Sequence, residues 1–195
     1  LLKNMFKKNF ILFLLIFAFL PLKVLAYNNL TTHPALTSEM VKFYNNFSNQ
    51  KITNQEKQWM MEGASEEDIP ATRTLNHFYD PIHKTGLTGD INAGELAPFI
   101  NVLRSMILSA KDWAQNSYDQ ATFLAEAYKN AALNPFAQAT KSAIDILTTH
   151  TWEKAIYNYL YGDKEEAFRN LGHVLHLIED MAVPAHTRND HHLRG

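Results

Sequence analysis

The chain lacks cysteine, and it also lacks the short signatures of several common enzyme classes. None of its 195 residues is cysteine, so it can form no disulfide bond, carry no lipid on a thiol and use no thiol nucleophile. It contains no GxSxG turn, no HExxH pair and no glycine-rich phosphate loop, which argues against the hydrolases, zinc peptidases and nucleotide-binding proteins that depend on them. The formal net charge is only −2, so the charge balance alone does not indicate nucleic-acid binding.

The composition and the periodicity of the chain predict one compact, all-α domain. Apolar residues make up 46% of the sequence and aromatic residues 12%, enough for a chain of this length to bury a core. Apolar positions recur at steps of three and four, and no run alternates with the period of a strand. The predicted helices cover about residues 34–49, 54–63, 95–132 with a break near Asn116, 136–150, 152–161, and a last helix that ends at Pro184.

The first 26 residues have the pattern of an export signal. Lys3, Lys7 and Lys8 precede an unbroken apolar run over residues 10–20, which is shorter than the roughly 20 residues of a membrane-spanning helix. Small or apolar residues end at Ala26, where a signal peptidase would cut. We therefore predict a signal peptide over 1–26, a mature domain over 27–195 that starts at Tyr27, and an exported protein.

The helix before Pro184 carries the residues with the clearest chemistry. Phe168, Leu171, Leu175, Ile178 and Ala182 recur at helical spacing, and they predict an apolar stripe that packs on the core. On the opposite face, His176 and Asp180 lie one turn apart beside His173. Pro184 ends the helix, and His186 follows on backbone that can fold back. Such residues suit Zn²⁺, although a solvated His–Asp pair on a polar helix face is the simpler interpretation of the spacing alone.

Three further candidates lie in the first half of the chain. His33 precedes Pro34 at the start of a predicted helix, where a surface histidine is the simpler interpretation. The run Glu66-Glu67-Asp68 is followed by Asn76-His77-Phe78-Tyr79-Asp80-Pro81. Three successive acids are usually a solvated turn, and His77 could equally be a packed core histidine.

Two of these strings together resemble a known family. LGxxxHxxxDxxxPxH, ending at His186, and His-Phe-Tyr-Asp-Pro, starting at His77, are similar to motifs of the zinc-dependent phospholipases C and the related single-strand-specific zinc nucleases. Members are all-helical secreted phosphodiesterases with a three-zinc site. The resemblance implies that the zinc ligands here are His33, Asp68, His77, His176, Asp180 and His186.

The resemblance also implies how these residues divide among the ions. Asp68, His77, His176 and Asp180 would hold the first zinc, with Asp68 near the attacking water as general base. Asp180 would also reach a second zinc, shared with His33 and the amino group of the first mature residue, and His186 would belong to a third. Glu66 and Glu67 remain alternatives to Asp68, and Tyr27 stands where the family has Trp. The family's other third-zinc ligands lie beyond Gly195, so we expect the C-terminal part of the domain to be missing from this sequence.

The resemblance predicts a zinc-dependent phosphodiester hydrolase in which a hydroxide shared between two or three zinc ions cleaves a P–O bond. Phospholipid is the favoured substrate, because His-Phe-Tyr-Asp-Pro resembles the phospholipase branch. We also expect peripheral membrane contact and a monomeric state. One alternative is a single-strand-specific nuclease, which would use aromatic and basic residues on nucleic acid. Another is an exported, non-catalytic binding protein that the metal stabilises.

Overall fold

The fold was determined as a computed structural model, which describes residues 31–88, 97–132 and 147–188. Within these ranges the chain forms helices and no strand, which confirms the predicted all-α class. None of the described helices is long and apolar enough to cross a membrane. The helices are α1 Thr32–Phe47, α2 Asn54–Glu66, α3 Ala97–Leu103, α4 Ala110–Gln115, α5 Ser117–Ala132, α6 Trp152–Tyr161, α7 Lys164–Met181 and α8 Pro184–Thr187, with 3₁₀ turns at Ala71–Asn76 and Arg104–Met106.

Some predicted features lie outside the described residues. The signal peptide over 1–26 and Tyr27 do, and so does most of the predicted helix over 136–150. Residues 148–150 at its end are described, and they are not helical. The prediction for 152–161 is confirmed: Thr151 caps α6 by accepting a hydrogen bond from the N–H of Lys154.

The long helix predicted over 95–132 is interrupted twice. The break near Asn116 is confirmed, because α4 ends at Gln115 and α5 begins at Ser117. A second interruption, around residues 104–109, was not predicted. There the N–H of Leu108 donates to the side chain of Asn76, and the N–H of Ala110 donates to the carbonyl of Phe78. These bonds to a distant segment replace helical bonds, and periodicity cannot reveal such partners.

Helices α2 and α7 pack against each other so closely that their contact requires glycine. A Cβ on Gly172 would lie 2.1 Å from the carbonyl oxygen of Met60, and one on Gly63 would lie 2.1 Å from that of Arg169. Helix α2 runs on to Glu66 rather than ending at Gly63 as predicted. The last turn of α2 is thereby held against the middle of α7.

Helix α7 buries its polar face as well as part of the predicted apolar stripe. His173, His176 and Asp180 are almost fully buried, whereas Ile178, which was predicted to face the core, is 55% exposed. The predicted stripe is confirmed at Phe168, Leu171 and Leu175, which pack in an apolar cluster, and is wrong at Ile178. Helices α1 and α2 cover the polar face, where some of the buried polar atoms are hydrogen-bonded and others have no hydrogen-bond partner.

Two apolar clusters support this arrangement. The larger one includes Leu103, Trp113 and Phe123, and α7 contributes Leu177 to it. The smaller one joins Val41 of α1, Met60 of α2 and Phe168 of α7. Helix α7 therefore links both clusters and carries the buried polar residues on the same element.

Candidate metal centre

Five segments of the chain bring the six predicted ligands to one place. Helix α7 contributes His176 and Asp180, and the first turn of α1 contributes His33. Asp68 follows the end of α2, and His77 follows the 3₁₀ turn Ala71–Asn76. Helix α7 ends shortly before Pro184, and Pro184 is the first residue of the short helix α8, which carries His186.

The carboxylate of Asp180 lies at the centre of the cluster. Its Oδ2 is 2.9 Å from Nδ1 of His77, 3.4 Å from Nε2 of His176 and 3.7 Å from Nδ1 of His186. Its Oδ1 faces the other way and lies 3.7 Å from Nε2 of His33. One carboxylate thus has imidazoles on both of its oxygens, as expected of a carboxylate that bridges two ions.

Asp68 completes one side of the cluster. Its Oδ1 is 3.5 Å from Nδ1 of His77 and 3.6 Å from Nε2 of His176. Two sets of three side chains are close enough to hold a metal ion, namely His33, His176 and Asp180, and Asp68, His77 and His176. Both sets include His176, so they are two parts of one centre.

The spacing of the donor atoms fits metal coordination. Zinc binds nitrogen and oxygen at about 2.0–2.2 Å, so two ligands of one tetrahedral ion lie about 3.4 Å apart. The separations around Asp180 and Asp68 scatter about this value, and most are too long for direct hydrogen bonds. Moreover, Nε2 of His176 and Oδ2 of Asp180 are buried without a hydrogen-bond partner. A cation would satisfy both atoms, so the residues present fit a metal ion.

Three of the four histidines turn their other ring nitrogen toward an acceptor oxygen. Nδ1 of His176 donates to the carbonyl of Ala64 (2.6 Å), and Nδ1 of His33 donates to Glu179 (2.7 Å). Nε2 of His77 lies 3.6 Å from Glu67. Because a carbonyl or carboxylate only accepts, the contacts of His176 and His33 favour the proton on the outer nitrogen and a lone pair on the inner one. The separation at His77 is too long for a hydrogen bond. Metal-binding histidines are held in this way.

His186 is placed differently from the other three histidines. Its Nδ1 donates to the carbonyl of His77 (2.9 Å), and its ring stacks on Phe78 with centroids 4.8 Å apart. The nitrogen nearest Asp180 is therefore the one that carries the proton, and the lone pair is on Nε2. His186 borders the centre but belongs to neither set of three.

The run Glu66-Glu67-Asp68 is divided among three environments. Glu66 pairs with Arg169 at the surface, with oxygen and nitrogen 3.3 Å apart. Glu67 is fully buried and binds Arg73, Nε1 of Trp113 and Nδ1 of His173. Asp68 is the carboxylate of the run that lies between His77 and His176. The prediction of a solvated turn was therefore wrong for Glu67.

The electrostatics of the centre follow from this concentration of carboxylates. Burial opposes the charged form of Asp180, but the adjacent imidazoles of His176 and His77 outweigh it and hold the pKa of Asp180 well below its usual range. Burial likewise opposes the charge on His77, yet Asp180 and Glu67 raise its pKa to about 10. The pKa of His176 is raised for similar reasons, chiefly by Asp180 against the effect of burial. The centre attracts cations, whether protons or metal ions.

Reasoning from the sequence missed the residues that support the ligands. Glu179 and Thr37 contact each other and hold His33, whereas Glu67 and Arg73 form a buried pair behind His77. His150 stacks on His173 with centroids 3.7 Å apart. The sequence offered one signal for these supporting residues, the position of Glu179 next to Asp180. Neighbouring positions in the chain do not reveal that helix α1 lies opposite Glu179.

No protein-family model, curated protein or solved structure matches this chain. The functional argument therefore rests on the geometry of the centre and on its motifs. Buried histidine and aspartate side chains from distant segments are gathered where they could hold a metal ion. A centre of this composition can polarise a ligand oxygen or activate water.

Proposed function

We propose that this protein is a zinc-dependent phosphodiester hydrolase of the phospholipase C type. The observation that carries the proposal is the cluster around Asp180, in which both carboxylate oxygens face imidazole nitrogens. Nδ1 of His33 and Nδ1 of His176 each donate to an acceptor, so their Nε2 lone pairs face Asp180. The motifs that resemble this family contain four residues of this cluster, namely His77, His176, Asp180 and His186.

The chain offers one complete ligand set and parts of others. Asp68, His77, His176 and Oδ2 of Asp180 would hold one ion with four protein donors. An imidazole nitrogen binds one ion at a time, so His176 is committed to this set. His33 and Oδ1 of Asp180 would then hold a second ion, and His186 would contribute Nε2 to a third.

Bound zinc would lower the pKa of water toward about 7 and stabilise negative charge on the oxygens of a phosphodiester. Asp180 keeps His77 and His176 in position on one side and His33 on the other. Asp68 is the more exposed aspartate, with 19% of its side chain accessible against 3% for Asp180. We assign Asp68 the role of accepting a proton from the attacking water, because it is the aspartate that solvent reaches.

The phospholipid substrate is inferred from His-Phe-Tyr-Asp-Pro, which begins at His77. In the structure this string also supports the centre: the N–H of Tyr79 donates to the carbonyl of His186, and Phe78 stacks on the ring of His186. The string thus joins the His77 side of the centre to the His186 side. This gives the residues characteristic of the phospholipase branch a structural role beside the ligands.

The first experiment measures the metal content of the purified protein. We expect at least two zinc ions per chain, and His176→Ala combined with Asp180→Asn should remove most of the bound metal. His83→Ala is the matched control, since His83 is an exposed histidine that pairs with Asp80 (2.6 Å) rather than with the centre. Wild-type protein without bound metal after purification in zinc-containing buffer would refute the proposal.

The second experiment measures hydrolysis of a chromogenic phosphocholine ester and, in parallel, of single-stranded DNA. Activity on the ester should disappear with chelator and return with zinc, and Asp68→Asn should lower kcat about 100-fold or more. His83→Ala should keep wild-type activity. Cleavage of DNA alone would identify a nuclease, and zinc content without turnover of either substrate would identify a binding protein; both would overturn the phospholipase assignment.

A further inference from the structure

Glu179 is a buried carboxylate, and both of its oxygens are bound by helix α1. Its Oε2 lies 2.7 Å from Nδ1 of His33, and its Oε1 accepts a hydrogen bond of 2.8 Å from the hydroxyl of Thr37. Only 4% of its side chain is exposed to solvent. Glu179 adjoins Asp180 in the chain, but its carboxylate is engaged with α1.

Helix α1 presents little else to the interior. Its buried residues are His33, Thr37 and Val41, and the first two are the residues that bind Glu179. A helix with so small an apolar face gains limited stabilisation from burial alone. The polar contact with Glu179 thus engages two of the three buried side chains of α1.

The contact also determines how the ring of His33 is oriented. With the proton of Nδ1 donated to Glu179, Nε2 carries the lone pair and lies 3.7 Å from Oδ1 of Asp180. The ring stacks on that of His176, with centroids 3.7 Å apart and planes inclined by 18°. Rotation of the ring, or a change of tautomer, would remove the lone pair from Asp180.

We propose that Glu179 is a positioning residue for the metal ion at His33 and that, through Thr37, it couples binding of that ion to the docking of α1. The inference rests on the proposed metal centre and adds to it a determinant that the motifs do not contain. Thr37 holds the carboxylate, the carboxylate holds Nδ1 of His33, and Nε2 is presented toward Oδ1 of Asp180. The set of Asp68, His77 and His176 has no contact of this kind with Glu179 and should not depend on it.

The test compares Glu179→Leu, Glu179→Gln and His33→Ala by zinc titration in chelator-buffered solution. Glu179→Leu should weaken the binding of one ion per chain about 10- to 100-fold, the usual effect of losing an outer partner of a metal-binding histidine. The other ion should bind as in wild type. Glu179→Gln should recover most of the loss, because its amide oxygen can accept from Nδ1 of His33 while its NH₂ group donates to Thr37.

A double variant identifies which ion is affected. Glu179→Leu in a His33→Ala background should cause no further loss, because the two substitutions act on the same ion. Nitrogen-15 NMR of the histidine rings supplies a second readout. It should show the proton of His33 on Nδ1 in the wild type and in Glu179→Gln, and a changed ring signal in Glu179→Leu. A merely structural role for Glu179 would not be restricted to one ion and one ring.

Wild-type affinity for every ion in Glu179→Leu would overturn the inference while leaving the metal centre intact. A wild-type protein that binds no zinc would instead refute the proposed function, so the two failures are distinguishable. Should Glu179→Leu not fold, Thr37→Val decides the question, because it removes only the hydroxyl that holds Oε1. We expect it to weaken the same single ion, and unchanged affinity in Thr37→Val would then overturn the inference.

Discussion

The four histidines of the centre differ in the nitrogen that each one turns toward Asp180. His33 and His176 present Nε2, whereas His77 and His186 present Nδ1. At His33 and His176 the other nitrogen, Nδ1, donates to an acceptor, whereas at His186 the same Nδ1 that lies nearest Asp180 donates to a carbonyl. Residue types and spacing could suggest these histidines as ligands. They could not show which nitrogen of each ring faces Asp180, because the acceptor oxygens lie on other segments.

Glu67 provides a test at the scale of one residue. It is buried against Arg73, with Oε2 and Nη2 2.7 Å apart, and its replacement leaves a buried guanidinium without its charged partner. We expect Glu67→Leu to lower the free energy of unfolding by about 3–5 kcal/mol, as measured by urea denaturation.

The neighbouring residue serves as the control for this prediction. Glu66 contacts Arg169 near the surface, so Glu66→Leu should change the free energy of unfolding by no more than about 1 kcal/mol. Equal effects of the two substitutions would mean that the buried pair does not contribute as argued.

At the scale of elements, the contact between α2 and α7 positions the centre. It places the carbonyl of Ala64 2.6 Å from Nδ1 of His176, and it depends on the missing side chains of Gly63 and Gly172. Glycine inside a helix is usually unfavourable, and here the close approach of two backbones accounts for it. The helical periodicity of α7 was recognisable, but it does not indicate that α2 would approach the polar face.

Gly172→Ala tests this contact. The new methyl group would meet the carbonyl oxygen of Met60, a backbone atom that cannot rotate away as a side chain could. We expect a loss of about 1–3 kcal/mol in the free energy of unfolding, from overpacking, together with weaker zinc binding. Ile178→Ala, at an exposed position of the same helix, should stay within about 0.5 kcal/mol of wild type in a urea titration. A Gly172→Ala protein as stable as wild type would contradict the close packing.

At the scale of the whole molecule, the centre concentrates negative charge. The carboxylates of Asp68, Glu67, Glu179 and Asp180 are largely buried, and Arg73 is the buried arginine among them. In the absence of metal, protons are held instead, as the raised pKa of His77 indicates. Because α1, α7, α8 and the segment after α2 all contribute to the centre, an ion there joins distant parts of the chain without any disulfide.

Removing the metal should therefore destabilise the entire fold. Zinc at 100 times its dissociation constant would add about 2.7 kcal/mol, which corresponds to a fall in Tm of about 5–10 °C on chelation for a protein of this size. Differential scanning calorimetry with and without chelator measures the change. Asp180→Asn is the control, since its Tm should be insensitive to chelator. A wild-type Tm that ignores chelator would show that the metal does not stabilise the fold.

Much of the local structure and the candidate ligands could be predicted because they depend on neighbours in the chain. Local effects include the helical periods, the cap at Thr151, the break at Asn116 and the end of α7 shortly before Pro184. Two short strings of the sequence likewise contain residue types that suit zinc.

The tertiary structure alone decided which face of α7 is buried, which acid of the run 66–68 faces the histidines, and which side chains support them. It assigned the interior to His173, His176 and Asp180 rather than to Ile178, and it brought Glu179 against α1. The physical reason is that burial and hydrogen-bond partnership depend on what lies across the interface. These partners lie more than a hundred positions away in the chain, so a local sequence pattern does not identify them.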